Sequence, residues 1–591
     1  MTKLKFKHYS YLTILIAALT CLQFRAFYSD ITNKRELKVT TWDALGYYIY
    51  LPAIFIYQDY HKYEWFPEID EKYEVSGGWV YQLSDLENGN KVGKYLGGVA
   101  ILQAPFFGIG HAIALSTDYP ADGFSAPYQY ALGFGVIFWF VLGLLILRKV
   151  LKVFFSETVT AWTLAMLVLA TNSIQYVSVD NAMSHAYIFT LYAMLLFTTI
   201  QWHAKPKKEW AFFMGLIIGL ACISRPTELI MILIPILWFT QTKTNGKKKW
   251  DLVRANKKQI LFLALGGILG VAPQIIYWKQ VTGSFIYDVG SKWDFANPWW
   301  RVLFGPEKGF FIYTPITILF IVGMFIAKKR GYPFRKSVIW FGLINIYIII
   351  SWHHWQYGAS YSTRALMQSY PLYALPLAVC IQEIVLLKKW KWVATVVAMY
   401  LIALNIFQTW QYNETILHNR DNTWKYYRAI YWDANPTPLD MSLLDTDEVF
   451  RGRPDKIVMS QGFGEPRTVS ISGGDSLYFA IEGPAAQIEG INETKVVRWY
   501  KVQAKIKASK GLWNANLKAL VTAGEKEMIR KERNFRMWNA MCDQGISNTY
   551  EFYIKAPENE GEPNLSLGIF PESDFEAVIE DYRIELLFVN D

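Results

Sequence analysis

The chain has 591 residues, of which 52% are hydrophobic and 17% aromatic, and its formal net charge is +9. These values exclude an ordinary soluble single domain, because the sequence is too apolar and too long for one hydrophobic core. They also argue against nucleic-acid binding, since most of the excess Lys and Arg lies in short clusters between apolar segments. The four cysteines lie far apart in sequence, which argues against a Cys-based zinc site.

Apolar segments with the roughly 20 residues needed to cross a bilayer follow one another through the first 410 residues. They begin near positions 9, 126, 157, 182, 209, 226, 259, 309, 337, 366 and 392. The first is interpreted as a signal anchor, because no small-residue cleavage site follows it. The sequence therefore predicts a polytopic α-helical membrane domain of about eleven transmembrane helices over residues 1–411.

Lys and Arg clusters in every second loop predict a cytoplasmic N-terminus. The apolar stretch 97–116 would break this alternation if it crossed the membrane, so we expect it to form a juxtamembrane helix at the outer interface. Three long loops, 28–125, 280–308 and 352–365, then lie on the non-cytoplasmic side together with the C-terminal domain. We expect the functional site on that face, since the cytoplasmic connections are short and basic.

Residues 412–591 form a separate, water-facing domain. Alternating apolar and polar residues predict strands over 495–507, 512–521, 550–555 and 582–588. An antiparallel β-sandwich is the expected architecture. Its tryptophans, Trp499, Trp513 and Trp538, are expected in the core, with acceptor binding as the alternative.

The first outer loop places a carboxylate, Asp43, among aromatic residues close to the membrane. An ionisable group in apolar surroundings is costly, which makes Asp43 a functional candidate. The alternative is that Asp43 caps a helix beginning at Ala44. Asp180 and His185 lie at the start of another apolar segment, where helix capping and packing are the alternatives to substrate binding.

Two cations stand where an anion could be bound. Arg225 interrupts an apolar stretch at the predicted outer boundary, so it needs a partner, either Glu228 or another acid, or an anionic lipid phosphate. Lys308 precedes another span and could neutralise a phosphate, although a solvated or snorkelling lysine also explains it.

The third outer loop combines aromatic rings, hydrogen-bond donors and a cation. Such a mixture is typical of a sugar site, because aromatic faces stack on sugar rings while amides, His and Tyr read hydroxyl groups. An interfacial aromatic belt is the alternative. The candidate residues are His353, His354, Trp355, Tyr357, Tyr361 and Arg364.

The layout resembles the GT-C superfamily of integral-membrane glycosyltransferases, and within it the protein O-mannosyltransferase and lipid A aminoarabinose transferase group. Asp43 stands where that group carries its first-loop acid, and the stretches 94–98 and 104–108 (KYLGG and APFFG) resemble its juxtamembrane segment. The sequence departs from the mannosyltransferases in that Asp43 is followed by Ala44 rather than by a second acid, which leaves Asp180 as a candidate second carboxylate.

The resemblance implies transfer of a sugar from a polyprenyl-phosphate donor to a glycan, lipid or protein acceptor, with inversion. Asp43 would act as general base, while Arg225 and Arg364, followed by Lys94 and Lys308, would stabilise the leaving phosphate. A divalent cation, Mg²⁺ or Mn²⁺, remains open as cofactor. The implied location is a bacterial inner membrane with the C-terminal domain in the periplasm.

The alternative from another class is a non-enzymatic translocase of lipid-linked glycan or polysaccharide. It would also need outer cations and an aromatic groove, but it should tolerate loss of Asp43. No P-loop, Gly-x-Ser-x-Gly or His-Glu-x-x-His motif occurs in the sequence, so nucleotide-dependent chemistry has no support.

Overall fold

The computed structural model describes residues 8–28, 38–387, 389–460, 462, 465–482, 496–523, 528–539, 542–557 and 563–590. The chain divides into two compact units, Met1–Thr409 and Trp410–Asp591. The first is built almost entirely of helices and the second largely of β-strands. The predicted order of a helical domain followed by a C-terminal β domain is confirmed.

The helices of the first unit follow the apolar segments of the sequence. In chain order they are α1 (Tyr9–Phe27), α2 (Asp43–Tyr48), α3 (Tyr50–Phe55), α4 (Phe66–Tyr73), α5 (Gly98–Leu115), α6 (Ala126–Lys152), α7 (Glu157–Leu169), α8 (Ser184–Ala204), α9 (Lys208–Cys222), α10 (Leu233–Leu237), α11 (Lys243–Ala255), α12 (Gln259–Thr282), α13 (Arg301–Phe304), α14 (Phe310–Tyr313), α15 (Ile318–Arg330), α16 (Arg335–Ile350), α17 (Arg364–Met367), α18 (Tyr370–Leu386) and α19 (Lys391–Asn413). A π-helix at Gln175–Val179 and 3₁₀ helices at Pro226–Ile232 and Pro315–Thr317 interrupt them, and a two-stranded ribbon pairs β1 (Leu83–Asp85) with β2 (Lys91–Gly93).

Within the described residues, five helices are long and apolar enough to cross a membrane, namely α1, α5, α6, α12 and α19. Between half and four fifths of the residues in their most apolar windows are not buried inside the protein. Such extended apolar surface is stable in lipid rather than in water. Helix α5, expected at the outer interface, is one of the five, so its length and composition also fit a span. The count of about eleven spans stays a prediction.

Small residues set the closest helix packing in the membrane domain. Gly215 and Gly219 on α9 face Gly266 and Gly270 on α12, and a Cβ added to any of the four would overlap backbone atoms of the opposite helix. Glycines spaced four apart let two helix backbones approach closely, which is a common way to pair helices in lipid.

Hydrogen bonds join the second and third predicted outer loops. The residues around Trp293 and Trp352 form an antiparallel bridge. Asp294 N donates to Ser351 O at 2.7 Å, and His353 N donates to Lys292 O at 3.1 Å.

The second unit begins with the last residues of α19. Two short helices follow, α20 (Trp424–Ala429) and α21 (Pro438–Ser442), and then antiparallel strands. The described strands are β3 (Lys456–Ser460), β4 (Arg467–Ile471), β5 (Leu477–Glu482), β6 (Val496–Lys510), β7 (Ala515–Ala523), β8 (Met528–Arg536), β9 (Ser547–Lys555), β10 (Pro563–Pro571) and β11 (Phe575–Asn590).

Two antiparallel sheets make up this unit. One has the strand order β5-β10-β7-β8, and the other has the order β3-β11-β6-β9 with β4 also paired to β11. One apolar cluster takes buried side chains from both sheets. The expected sandwich is confirmed, but the expectation of a core position is wrong for Trp513, whose side chain is 62% exposed.

Candidate active site

Asp43 is the first residue of α2, and its carboxylate is held by side chains from distant parts of the chain. Tyr81 and Tyr95 donate hydrogen bonds to Oδ1 at 2.7 and 2.6 Å. Arg364 donates from Nη2 to Oδ2. No helix-capping bond is made by this carboxylate among the described residues. Its partners therefore argue against the capping interpretation.

These partners keep Asp43 ionised. Burial raises the pKa of its carboxyl group, but the charge of Arg364 and the hydrogen bonds from Tyr95 and Tyr81 outweigh that effect and lower the pKa to about 2. The ion pair is partly shielded from water, since the side chains of Arg364 and Asp43 are 12% and 24% exposed. Asp43 is therefore an accessible carboxylate whose negative charge is matched by one guanidinium.

A buried chain of polar groups begins one turn beyond Arg364. Gln368 donates from Nε2 to a carboxylate oxygen of Glu228, and its Oε1 lies 3.3 Å from Nδ1 of His185. The hydroxyl of Tyr192 donates to the other oxygen of Glu228. His185 is thus a buried member of a hydrogen-bonded chain that supports the segment carrying Arg364.

Arg225 is a half-buried cation that forms no ion pair with an acid in the described part of the chain. Its guanidinium makes no hydrogen bond to a described residue either. Glu228 accepts its hydrogen bonds from other side chains, although the charge of Arg225 also acts on it. Burial raises the pKa of the Tyr47 hydroxyl, Arg225 and Arg364 oppose this effect, and Asp43 adds to it. The charges of Arg225, Arg364 and Asp43 therefore all act on this one hydroxyl.

Lys94 adds a third cation. Its ammonium group lies 5.3 Å from the centre of the Tyr81 ring, whose hydroxyl binds Asp43. Desolvation lowers the pKa of His354, and the nearby Lys94 and Lys292 charges, together with His353, lower it further. Lys94 therefore lies against a tyrosine that binds Asp43, and its charge also acts on His354 in the third loop.

The remaining aromatic candidates are bonded inside the protein. The Tyr357 hydroxyl donates to Ile349 O at 2.8 Å, and the Tyr361 hydroxyl donates to Asn405 Oδ1 at 3.2 Å. Trp355 is buried beneath the guanidinium of Arg301, which lies 3.6 Å from the ring centre. Their contacts show these side chains shaping the loop, while His353 and His354 are exposed.

Lys308 is 1% exposed and is bound to the same loop. Its ammonium group donates to Gly358 O at 3.1 Å and to Ser360 O at 2.8 Å. Two backbone carbonyls thus receive its hydrogen bonds, and the lysine fixes the loop that leads into Arg364.

Asp180 follows the π-helix and accepts a hydrogen bond from Gln175 Nε2 at 3.0 Å. Burial raises its pKa, and Gln175, Arg364 and Arg25 offset this only in part. Arg364 therefore acts on both predicted carboxylates, but it forms its ion pair with Asp43.

The residues around Asp43 do not fit a divalent cation. One carboxylate oxygen binds a guanidinium and the other binds two hydroxyl donors, whereas Mg²⁺ and Mn²⁺ need several oxygen lone pairs directed at one point. No group of three or more His, Cys, Asp or Glu side chains suited to a metal occurs among the described residues.

Sequence reasoning did not assign roles to Tyr47, Tyr81 and Tyr95. Tyr95 lies in the segment that resembles the family, but tyrosines are so frequent near the predicted interface that composition gave no reason to choose these three. Only the folded loop shows that the hydroxyls of Tyr81 and Tyr95 bind Asp43.

No protein-family model matches the sequence, and no curated protein matches it. Among solved structures, the oligosaccharyltransferase of Archaeoglobus fulgidus is similar at 12% identity with a TM-score of 0.43, over 72% of this chain and 58% of that chain. Arabinosyltransferase EmbB from Mycobacterium smegmatis is similar at 9% identity with a TM-score of 0.32, over 96% of this chain and 64% of that chain. The chain spans less than two thirds of either protein, and because TM-scores of this size do not establish a common fold, its function has to follow from its own residues.

Proposed function

We propose that the protein is a membrane glycosyltransferase that transfers a sugar, with inversion, from a polyprenyl-phosphate donor to a hydroxyl of a glycan, lipid or protein acceptor. The proposed setting is the outer face of a bacterial inner membrane, with a cytoplasmic N-terminus and a periplasmic C-terminal domain.

The observation that carries this proposal is the combination of a partly exposed carboxylate, Asp43, with a half-buried guanidinium, Arg225, that forms no ion pair in the described structure and acts on the same Tyr47 hydroxyl. Arg364 is matched by Asp43, whereas Arg225 has no acid partner in the described structure. A partly desolvated guanidinium without a partner is costly, and a phosphate with oxygens for a two-pronged contact is the ligand that suits it. Arg225 is therefore proposed to hold the donor phosphate, with Lys94 as a second contact.

In the proposed reaction the acceptor hydroxyl oxygen attacks the anomeric carbon of the donor. The new bond from oxygen to carbon forms as the bond between the anomeric carbon and the phosphate oxygen breaks. Polyprenyl phosphate leaves with that electron pair, and Arg225 and Lys94 stabilise its charge. The hydroxyl proton passes to Asp43, so charge and atoms balance.

A pKa near 2 makes Asp43 a weak base, which suits a late proton transfer. Positive charge on the sugar in an oxocarbenium-like transition state makes the attacking hydroxyl acidic before the proton moves. The Asp43 carboxylate also attracts this positive charge. Tyr81 and Tyr95 share Oδ1, and the acceptor hydroxyl would replace one of them as donor.

The test is sugar transfer by the purified full-length protein in native-lipid nanodiscs, with a panel of polyprenyl-phosphate sugars as donors. Asp43→Asn keeps the shape but removes the base, and the expected loss of transfer rate is roughly 10²- to 10⁴-fold with donor binding retained. Asp85→Asn is the matched control, because Asp85 lies in the same loop with its side chain 84% exposed.

If Asp43→Asn transfers sugar at the wild-type rate, Asp43 is not the base, and Asp180 becomes the next candidate. Absence of turnover with every donor, together with lipid movement between leaflets, would reject the enzyme in favour of a translocase.

A further inference from the structure

Two tryptophans of the first predicted outer loop expose their rings and have no role in the chemistry proposed above. Trp42 directly precedes Asp43 and is 54% exposed, and Trp79 is 72% exposed. Leaving such large aromatic rings in water is unfavourable, so two of them in one loop point to a ligand that covers them. Among the described residues neither indole N–H has a hydrogen-bond acceptor, so both remain able to donate to a ligand.

The ring of Trp79 is connected to the carboxylate of Asp43 through one tyrosine. It packs on the ring of Tyr81, with 5.4 Å between the ring centroids and 43° between the ring planes. The Tyr81 hydroxyl in turn donates to Oδ1 of Asp43 at 2.7 Å. A ligand the size of one or two sugar rings can therefore cover Trp79 and reach the carboxylate.

The backbone at Trp42 has a conformation that glycine usually takes. Its φ is 52° and its ψ is −126°, which is strained for a residue with a side chain. Trp42 N donates to Val75 O at 3.2 Å, and Gln82 Nε2 donates to Trp42 O at 3.1 Å. The indole lies on Gly77, where an added Cβ would stand 2.4 Å from two of its ring atoms. The surrounding loop thus holds a large ring next to Asp43 at a cost in backbone strain, as is common at ligand sites.

The surroundings of the two rings suit a sugar better than a lipid or a protein. A lipid chain needs a continuous apolar surface, whereas the nearby residues 84–90 (SDLENGN) are polar apart from one leucine and mostly exposed. A Ser or Thr side chain of a protein brings a hydroxyl but no flat apolar face. A pyranose has apolar C–H groups on its faces and hydroxyls at its edge, so a ring stacked on an indole can direct a hydroxyl at a nearby base.

We propose that Trp42 and Trp79 form an acceptor subsite and that the acceptor is a glycan whose neutral sugar rings stack on these two indoles. This inference rests on the proposed function and selects one acceptor class from glycan, lipid and protein. A hydroxyl of the stacked sugar replaces the Tyr81 hydroxyl as donor to Asp43. Its oxygen then bonds to the anomeric carbon of the donor sugar, polyprenyl phosphate leaves with the electron pair of the broken bond, and the proton passes to Asp43.

Saturation-transfer NMR on the full-length protein in native-lipid nanodiscs measures acceptor binding without any donor. The probes are neutral trisaccharides of glucose, galactose, mannose and N-acetylglucosamine, and wild type should bind at least one of them. Trp42→Gly and Trp79→Ala should each weaken binding roughly twofold to tenfold. Trp424→Ala is the matched control, because it removes a tryptophan that is 41% exposed in the second unit, and it should bind as wild type does.

The variant Trp42→Gly separates recognition from folding. Glycine takes the backbone conformation of this position without strain, which offsets the packing of the indole that is lost against Gly77. The unfolding midpoint should therefore stay close to that of wild type while sugar binding falls. Trp79→Ala should also keep its midpoint, because the ring that it removes is mostly exposed.

Asp43→Asn should bind the same trisaccharides as wild type, which separates failure of this subsite from failure of the transfer reaction. Sugar binding that depends on both tryptophans, without transfer by wild type, would reject the reaction and leave the subsite in place. The subsite is overturned if no trisaccharide binds to wild type, if both tryptophan variants bind as wild type does, or if binding is lost only together with the fold. It is also overturned if a Ser- and Thr-rich peptide or a lipid accepts the transferred sugar while the trisaccharides do not.

Discussion

The carboxylate of Asp43 pairs with the guanidinium of Arg364, 321 positions further along the chain. The pair closes the first predicted outer loop onto the third. The two arginines therefore differ. Arg364 neutralises the carboxylate of Asp43, whereas Arg225 forms no ion pair in the described structure. Replacing Arg364, which neutralises Asp43, should therefore lower the stability of the protein, whereas replacing Arg225 should weaken donor binding.

Replacing Arg364 with Met should destabilise the protein in a pH-dependent way. The pKa of Asp43 is lowered from 3.8 to about 2, so the pair contributes stability that is present above pH 4 and is lost as the pH falls through 2. The difference corresponds to about 2 kcal/mol. Burial alone would raise the pKa in the variant, so the loss should be largest at neutral pH.

The measurement is the thermal unfolding midpoint in nanodiscs between pH 2 and pH 7. The difference in unfolding midpoint between wild type and Arg364→Met should become smaller as the pH approaches 2. Arg254→Met, which removes an arginine that is 79% exposed, is the control and should show no such trend. If the difference in unfolding midpoint between wild type and Arg364→Met is the same at pH 2 and at pH 7, the charge pair is not what stabilises the loop.

The sequence identified Asp43 and Arg364 as separate candidates but did not predict the ion pair between them. Each stood out as an ionisable residue near a predicted membrane boundary. Their contact depends on how two loops fold over the helices, and no local periodicity encodes that. The hydrogen bond from Tyr81 to Asp43 could not be predicted for the same reason, because Tyr81 lies in a polar stretch with no helical or strand pattern.

Arg225→Gln should weaken donor binding more than it affects the fold. A charge-assisted hydrogen bond contributes about 1.5–3 kcal/mol, so KM for the donor should rise roughly 10- to 100-fold. Because the guanidinium makes no protein hydrogen bond in the described structure and only its charge acts on Glu228, the unfolding midpoint should change little. Steady-state kinetics with varied donor, with Arg254→Gln as control, measure the effect. An unchanged KM would remove Arg225 from the donor site.

Lys308→Met distinguishes two roles for a buried lysine. Loss of its bonds to Gly358 O and Ser360 O should lower the unfolding midpoint, since both carbonyls lose their donor and Ser360 is buried. A lysine that instead contacts the donor phosphate would raise KM while the midpoint stays constant. We expect the first result, measured by thermal unfolding beside donor kinetics, with Lys62→Met as an exposed control from the first loop.

The fold was more predictable than the site, for physical reasons visible in particular elements. The predicted strand at 550–555 lies inside β9, because alternation of buried and exposed residues is a local signal. The apolar segment predicted to begin near 309 is instead divided among α14, a 3₁₀ turn and α15. Pro315 lacks a backbone donor and breaks the helix there. Trp513 was misjudged because aromatic residues serve both cores and binding surfaces.

Gly215→Val should impair the membrane domain itself. A Cβ at Gly215 would overlap the backbone of α12 at Leu263, so a branched side chain forces α9 and α12 apart. Gly108→Val on α5 is the matched control, since a Cβ there meets nothing within 4 Å. We expect Gly215→Val to lower both the amount of monodisperse protein in detergent and its unfolding midpoint, and Gly108→Val to resemble wild type. Equal behaviour of the two variants would mean that close backbone contact between α9 and α12 does not govern assembly of the helices around Arg225.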